Sequence, residues 1–173
     1  FELDKISALS TAHYVLGVFE KIKPDENIDC TGKITLALDT IQDPGNLGTI
    51  IRIADWFGVK DMICSVGCAD LYNPKLVQGT MGSLGRVNVV YTDLPEWLHQ
   101  NKKVKIYAAS LDGRSIASVG KLKEGIVIIG NEANGISEAV MKLVTEKITI
   151  PKTGEAESLN AAVAAGIILS HLK

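Results

Sequence analysis

Arg52 stands among isoleucines in the stretch DPGNLGTIIRIADWFGV, residues 43–59. A guanidinium stays protonated at ordinary pH and offers five donors in a planar fork. An arginine is therefore a poor general base but suits holding a phosphate or stabilising a developing alkoxide. The flanking glycines suggest a phosphate loop, yet the stretch matches neither G-x-G-x-x-G nor G-x-x-x-x-G-K-[ST]. Gly45 and Gly48 are equally well explained as turn formers. A plain reading also exists for Arg52, as a solvated side chain paired with Asp55 or stacked on Trp56, three and four residues on.

Two further stretches carry polar groups at the start of apolar segments. In GNEANGIS, residues 130–137, Glu132 lies just before a helix signal, where a carboxylate can accept backbone N–H groups. In IPKTGEAESLN, residues 150–160, Ser158 or Asn160 can cap the following helix. Each stretch alone is open to a purely structural explanation.

The elements that must position these groups follow from periodicity. ITLALD (34–39) is an apolar run ending in a charge, as expected for a buried parallel strand. A loop, TIQDPGNLG, should lead to a helix from about Leu47 to Phe57. Its apolar face is Ile50, Ile51, Ile53, Ala54 and Phe57; Arg52, Asp55 and Trp56 fall on the other face and Gly58 stops it. DMICSV (61–66), VNVVY (87–91), KIYAAS (105–110), GIVIIG (125–130) and KITIP (147–151) read as strands. Helices are expected in NPKLVQGTMG with Asn73 as cap and Pro74 first, in LPEWLHQN, in ISEAVMKLV with Ser137 as cap, and in SLNAAVAAGIILSHL (158–172). The last is apolar almost all round, so it should be buried in the core or against a second subunit. Strands alternating with helices indicate a mainly parallel α/β domain. HYVLGVF (13–19) can form a strand, and the polar KIKPDENIDCTGK after it reads as a linker or arm.

Bulk properties narrow the classes. The 173 residues are 46% hydrophobic and 22% charged, enough for one domain with a sizeable core. The net charge is −2 and the pI about 5.9, so the chain lacks the basic surface of most nucleic-acid binders. An RNA partner must be met by a local patch, an oligomer or another segment. Cys30, Cys64 and Cys68 cannot all pair within the chain, and Cys64 and Cys68, four apart, have no histidine nearby to complete a metal site. They are expected to be reduced thiols on or beside a buried strand. His13, His99 and His171 are scattered and carry no assigned role. No signal-peptide pattern opens the sequence, and the longest apolar run, AAVAAGIILS, is too short to cross a bilayer. A cytoplasmic, reducing setting is expected. Because the chain starts at Phe1 rather than methionine, it is expected to be a piece of a longer protein.

Taken in order, NLGTIIR, IIGNEANGIS and IPKTGEAESLN resemble the three motifs of the SpoU (TrmH-type) class of SPOUT RNA methyltransferases, with the right separations. The resemblance covers about Ile34 to Leu172. It implies an α/β fold with helices on both faces of a mainly parallel sheet and a C-terminal deep trefoil knot, a feature exceptional among proteins. It implies a homodimer that transfers a methyl group from S-adenosylmethionine to a ribose 2′-hydroxyl of tRNA or rRNA, rRNA preferred, with no metal and no membrane. By resemblance, Gly130, Ile150, Pro151 and Leu159 contact the cofactor, mainly through backbone, and the loop after Ala109 and Ser110 closes its other side. Asn46, Arg52, Glu132, Ser158 and Asn160 match the functional polar positions, with Arg52 the catalytic candidate, reaching a site shared with the other subunit.

Two features depart from the family pattern. Lys152 stands where methionine is common after Ile-Pro, and Ala161-Ala162 replace a common Val-Ser pair. Residues 1–33 resemble the end of a small RNA-binding domain and its linker, leaving 34–173 as the catalytic domain. A second reading is a non-catalytic RNA-binding or assembly module that keeps the fold; Lys152 and the acidic balance point that way, whereas the five retained polar residues point to turnover. Methylation of a base is a further alternative within enzymes.

Overall fold

The computed structural model describes residues 2–7, 15 and 17–173. Six strands, β1 (Ile34–Asp39), β2 (Asp61–Ser65), β3 (Asn88–Thr92), β4 (Ile106–Ser115), β5 (Gly125–Gly130) and β6 (Glu146–Thr149), form one sheet in the order β3-β2-β1-β5-β4-β6. Every pairing is parallel. The order reverses between β1 and β5, a switch point at whose carboxyl end ligands gather in such sheets. The loops leaving these two strands lead to Asn46 and Glu132.

The two-residue strand period divides the core into two layers. Leu36, Leu38, Met62, Val127 and Ile129 pack against α2 (Pro44–Trp56), α3 (Pro74–Thr80), α5 (Ile116–Val119) and α7 (Ala161–Leu172). Ala37, Ile63, Val90, Ile126 and Ile128 face α4 (Leu94–Gln100) and α6 (Glu138–Met141). Helices therefore cover both faces, as the resemblance implies. From β6 at the sheet edge the chain returns to set α7 against α2 and β5. That return path is consistent with the knot implied by resemblance.

Several boundaries differ from the expectations. α2 begins at Pro44, not near Leu47, because the Asp43 carboxylate caps the Asn46 N–H at 2.8 Å and proline at the first position presets the backbone. DPGNLG is thus a helix start rather than a loop. Gly48, inside the helix, lets α3 approach: an added Cβ would sit 2.6 Å from the Leu76 carbonyl. β4 runs five residues past Ser110, with a bulge between Ala109 and Arg114 that throws residues 110–113 outward. α6 is one turn instead of nine residues, since after Lys142 the bonds tighten to i→i+3 spacing, Leu143 to Val140 and Val144 to Met141. Ser137 begins it without a side-chain cap.

A short α1 (Glu2–Ile6) precedes the arm. Within HYVLGVF, residues 13, 14 and 16 lie outside the described residues, and Val15 and 17–19 are exposed and form no strand. The polar arm after them docks on the sheet edge. Asp25 and Asn88 exchange two hydrogen bonds, the Tyr72 hydroxyl donates to the Ile22 carbonyl, and Cys30 is buried with the second layer. Cys64 is buried in β2 and Cys68, half-buried, lies just beyond it; both are free thiols. Among the described residues no helix is long and apolar enough to cross a membrane.

Candidate functional site

At the carboxyl ends of β4, β5 and β6 the structure opens a cleft of about 720 Å³. Small-molecule sites usually span ~300–1,000 Å³. All six residues expected to contact a cofactor, Ala109, Ser110, Gly130, Ile150, Pro151 and Leu159, line it. Three separate loops supply them. The walls are largely aliphatic, with Ile129, Ile148, Ala161 and Ile168 beneath, while the rim carries Asp112, Glu132, Lys147, Lys152 and Glu157. Such a surface suits a ligand with an apolar body and a charged end.

The loops are held by specific bonds. Gly130 closes against the strand-like pairing of Asn131 with Gly135; an added Cβ would lie 2.5 Å from the Ile136 nitrogen, so only glycine fits. The Asn131 side chain organises this loop. Its Oδ1 accepts the Ala133 and Asn134 N–H groups, and its Nδ2 donates to the Thr40 carbonyl at 2.8 Å. Thr40 itself has φ of 59°, a strained conformation for a β-branched residue, costing about 1–3 kcal/mol. Bonds to the Ser65 hydroxyl and to Asn131 hold it there. Asp39, buried at the end of β1, accepts the Ser137 N–H at 2.8 Å. Across the cleft, the Ser110 hydroxyl donates to Asp112, which also pairs with Lys147 at 2.9 Å. Those two donors, Ser110 first, hold the Asp112 carboxyl down to about 2.

Beside the cleft, Asn46, Glu132 and Asn160 form one chain of hydrogen bonds. Asn46 Nδ2 donates to Glu132 Oε1 at 2.5 Å, and Asn160 Nδ2 donates to Asn46 Oδ1 at 2.9 Å. Asn160 Oδ1 meanwhile caps α7 by accepting the Ala162 and Val163 N–H groups. Glu132 therefore holds a side-chain amide rather than capping a helix terminus, the plain alternative its sequence position left open. Ser158 is exposed on the cleft lining, and no hydrogen bond of its side chain is found. Asn160, not Ser158, is the cap.

Arg52 is not brought to this cluster. It lies six residues beyond Asn46 on α2, which turns it roughly 120° away from Asn46 at 100° per residue. Its side chain is exposed and enters no hydrogen bond or ion pair, and it does not line the cleft. Neither plain partner is engaged. Asp55 is taken by Arg86 at 2.8 Å and by the Ser83 hydroxyl at 2.7 Å, and Trp56 is 83% exposed. A free guanidinium thus faces outward from α2.

Asn131, Asp39, Thr40 and Asp112 were not singled out from the sequence. A signal existed for two of them. Asn131 follows a strand-ending glycine, a common place for a side chain that nucleates a turn, and Asp39 is the one charge closing an apolar strand. Among the described residues no group of three His, Cys, Asp or Glu side chains is gathered that could hold a metal ion.

Comparison with known proteins shows the family. Residues 33–170 match the model of a family described as the SpoU rRNA methylase family. The chain is 36% identical over 153 residues to the 23S rRNA (guanosine(2553)-2′-O)-methyltransferase RlmP of Bacillus subtilis, covering 87% of this chain and 61% of that protein. It therefore spans under two thirds of that relative's length. A TrmH-family protein from Porphyromonas gingivalis superposes with a TM-score of 0.82 at 34% identity, over 98% of this chain and 70% of that one. The AdoMet-bound rRNA methyltransferase of Sinorhizobium meliloti gives 0.79 at 31% identity, over 87% and 59%.

Proposed function

Since the chain belongs to the SpoU rRNA methylase family, we propose that it transfers a methyl group from S-adenosylmethionine to a ribose 2′-hydroxyl of RNA, with rRNA preferred over tRNA. One observation carries the reading. Three loops far apart in sequence meet around a single cleft, and polar residues of all three motifs are bonded together beside it. The RlmP relative acts on 23S rRNA, which supports the rRNA preference. The cytoplasm, where such RNA is found, is the proposed setting.

The residues present fit the cofactor. Backbone of Gly130, Ile150 and Leu159 would flank its adenosyl part, and Ser110 and Pro151 would border it. Fixed backbone donors recognise a base without ordering side chains. When bound, S-adenosylmethionine supplies an activated sulfonium methyl. The protein's task is then chiefly to align the 2′-oxygen with that methyl and exclude competing poses. Glu132, Asn46 and Asn160 keep the loops in register, and Ser158 stands at the rim for the incoming ribose. Arg52 would stabilise the alkoxide as it develops and hold the adjoining phosphate. No proton transfer is assigned to it.

Arg52 faces away from its own Asn46, so we propose that it completes the site of a second copy. Val163 on α7 and Leu159 just before it are half-exposed, and Trp56 is exposed on α2, giving apolar surface for such a homodimer. Calorimetric titration with S-adenosylmethionine tests the cofactor reading. Saturable binding is expected, lost when Leu159→Trp crowds the cleft. A folded chain that binds no cofactor would sink the enzyme reading in favour of a binding module.

A further inference from the structure

Lys152 lines the cleft from the exposed segment 151–160 and donates from Nζ to the Ala156 carbonyl at 3.1 Å. That bond uses one of three ammonium protons. The other lysine of the lining, Lys147, is committed to Asp112. The remaining charges of the cleft lining and of the segment after Lys152 are carboxylates. Glu157 lines the cleft from the same segment, Glu155 lies between them, and Glu132 stands across the opening on Asn46. Lys152 is thus an isolated cation at an acidic rim. An anionic group entering there is repelled unless it meets that ammonium.

We propose, resting on the cofactor reading above, that Lys152 pairs with the carboxylate at the amino-acid end of S-adenosylmethionine. That carboxylate is the cofactor's one anionic group; its sulfonium and ammonium are cations and its adenosyl part is neutral. The bond to Ala156 holds Nζ near the rim before the ligand arrives, which lowers the ordering cost of a long side chain. The acidic neighbours suit the ammonium of the same amino-acid end. Lys152 thereby sets preference for ligands that carry the carboxylate.

Calorimetric titration of wild-type chain, K152M and K152R with S-adenosylhomocysteine and with 5′-methylthioadenosine, which lacks the amino-acid end, tests this. K152M should weaken S-adenosylhomocysteine about 2- to 5-fold, the upper range of a solvated ion pair, and K152R should restore it. Binding of 5′-methylthioadenosine should stay the same in all three proteins. Equal weakening of both ligands would reduce Lys152 to a staple of its own loop and overturn the proposal, as would unchanged binding of S-adenosylhomocysteine. Wild-type chain that binds neither ligand would instead defeat the cofactor reading, and this inference with it.

Discussion

Asn46 and Glu132, 86 residues apart, are joined by a hydrogen bond of 2.5 Å from the asparagine amide to the carboxylate. The same amide accepts from Asn160 through its oxygen. One small side chain therefore fixes the start of α2 to the loop after β5 and to the cap of α7. A bond to a charged acceptor is about twice as strong as a neutral one, so the charge on Glu132 matters as well as its shape. Glu132→Gln should lower tritium transfer from S-adenosylmethionine to transcribed 23S rRNA by about tenfold or more, one charge-assisted bond's worth. Because Glu132 is exposed and glutamine can still accept the Asn46 amide proton, the melting temperature should fall by only a few degrees. Full activity in that variant would leave Glu132 without a positioning role.

Arg52 is free where Asn46 is engaged, and the two point apart on one helix. If the guanidinium serves the partner's cleft, two dead variants should complement. Arg52→Ala keeps its cleft, and Leu159→Trp keeps its arginine. Mixed dimers would hold one intact site, so co-refolded mixtures should recover measurable methyl transfer while each variant alone has almost none. Arg52→Lys should also lose activity, because the planar fork cannot be replaced by a point charge. Silence in the mixture, with dimers verified by mass, would put Arg52 and the cleft to work within one chain.

Gly48 permits the contact of α2 with α3. A methyl placed there meets the Leu76 carbonyl, which is backbone and cannot swing aside. Overpacking of this kind costs about 1–3 kcal/mol. For a domain of this size each kcal/mol lowers the melting temperature by about 2–4 °C. Calorimetric melting of Gly48→Ala should show that drop, with cofactor affinity retained below the transition. An unchanged melting temperature would mean that the helices separate at no cost.

The parts legible in sequence were those governed by short-range periodicity. Apolar runs located every strand, and β1 and β5 to the residue. What escaped was decided at long range or by capping. Proline and two glycines read as a loop, although the Asp43 cap and the close approach at Gly48 make them helix. The polar run after Ser110 hid the extension of β4, because its pairing with β6 is set by the bulge and not by hydrophobicity. The motifs named Asn46, Glu132 and Asn160 but could not say that they touch. Nothing in the sequence marks Thr40 as strained, since its φ is held by Asn131, just past β5, and by Ser65 at the end of β2.

Asp112 gives a pH test of the cleft wall. Its carboxyl is held down to about 2, from an ordinary 3.8, first by the Ser110 hydroxyl and then by Lys147. A carboxyl whose folded value lies below its unfolded one contributes its full stabilisation above the unfolded value and loses it as pH falls through the folded one. The contacts of the 110–113 bulge should therefore be intact above about pH 4 and weaken toward pH 2. Carboxyl-carbon NMR should place the Asp112 midpoint near 2. Ser110→Ala removes the largest single cause and Lys147→Met removes both the second hydrogen bond and a neighbouring positive charge, so each should raise that midpoint. Should Asp112 titrate at its ordinary value in the wild-type chain, the Ser110–Asp112–Lys147 wall does not persist in solution, and the cleft is bounded on that side by a loop free to move.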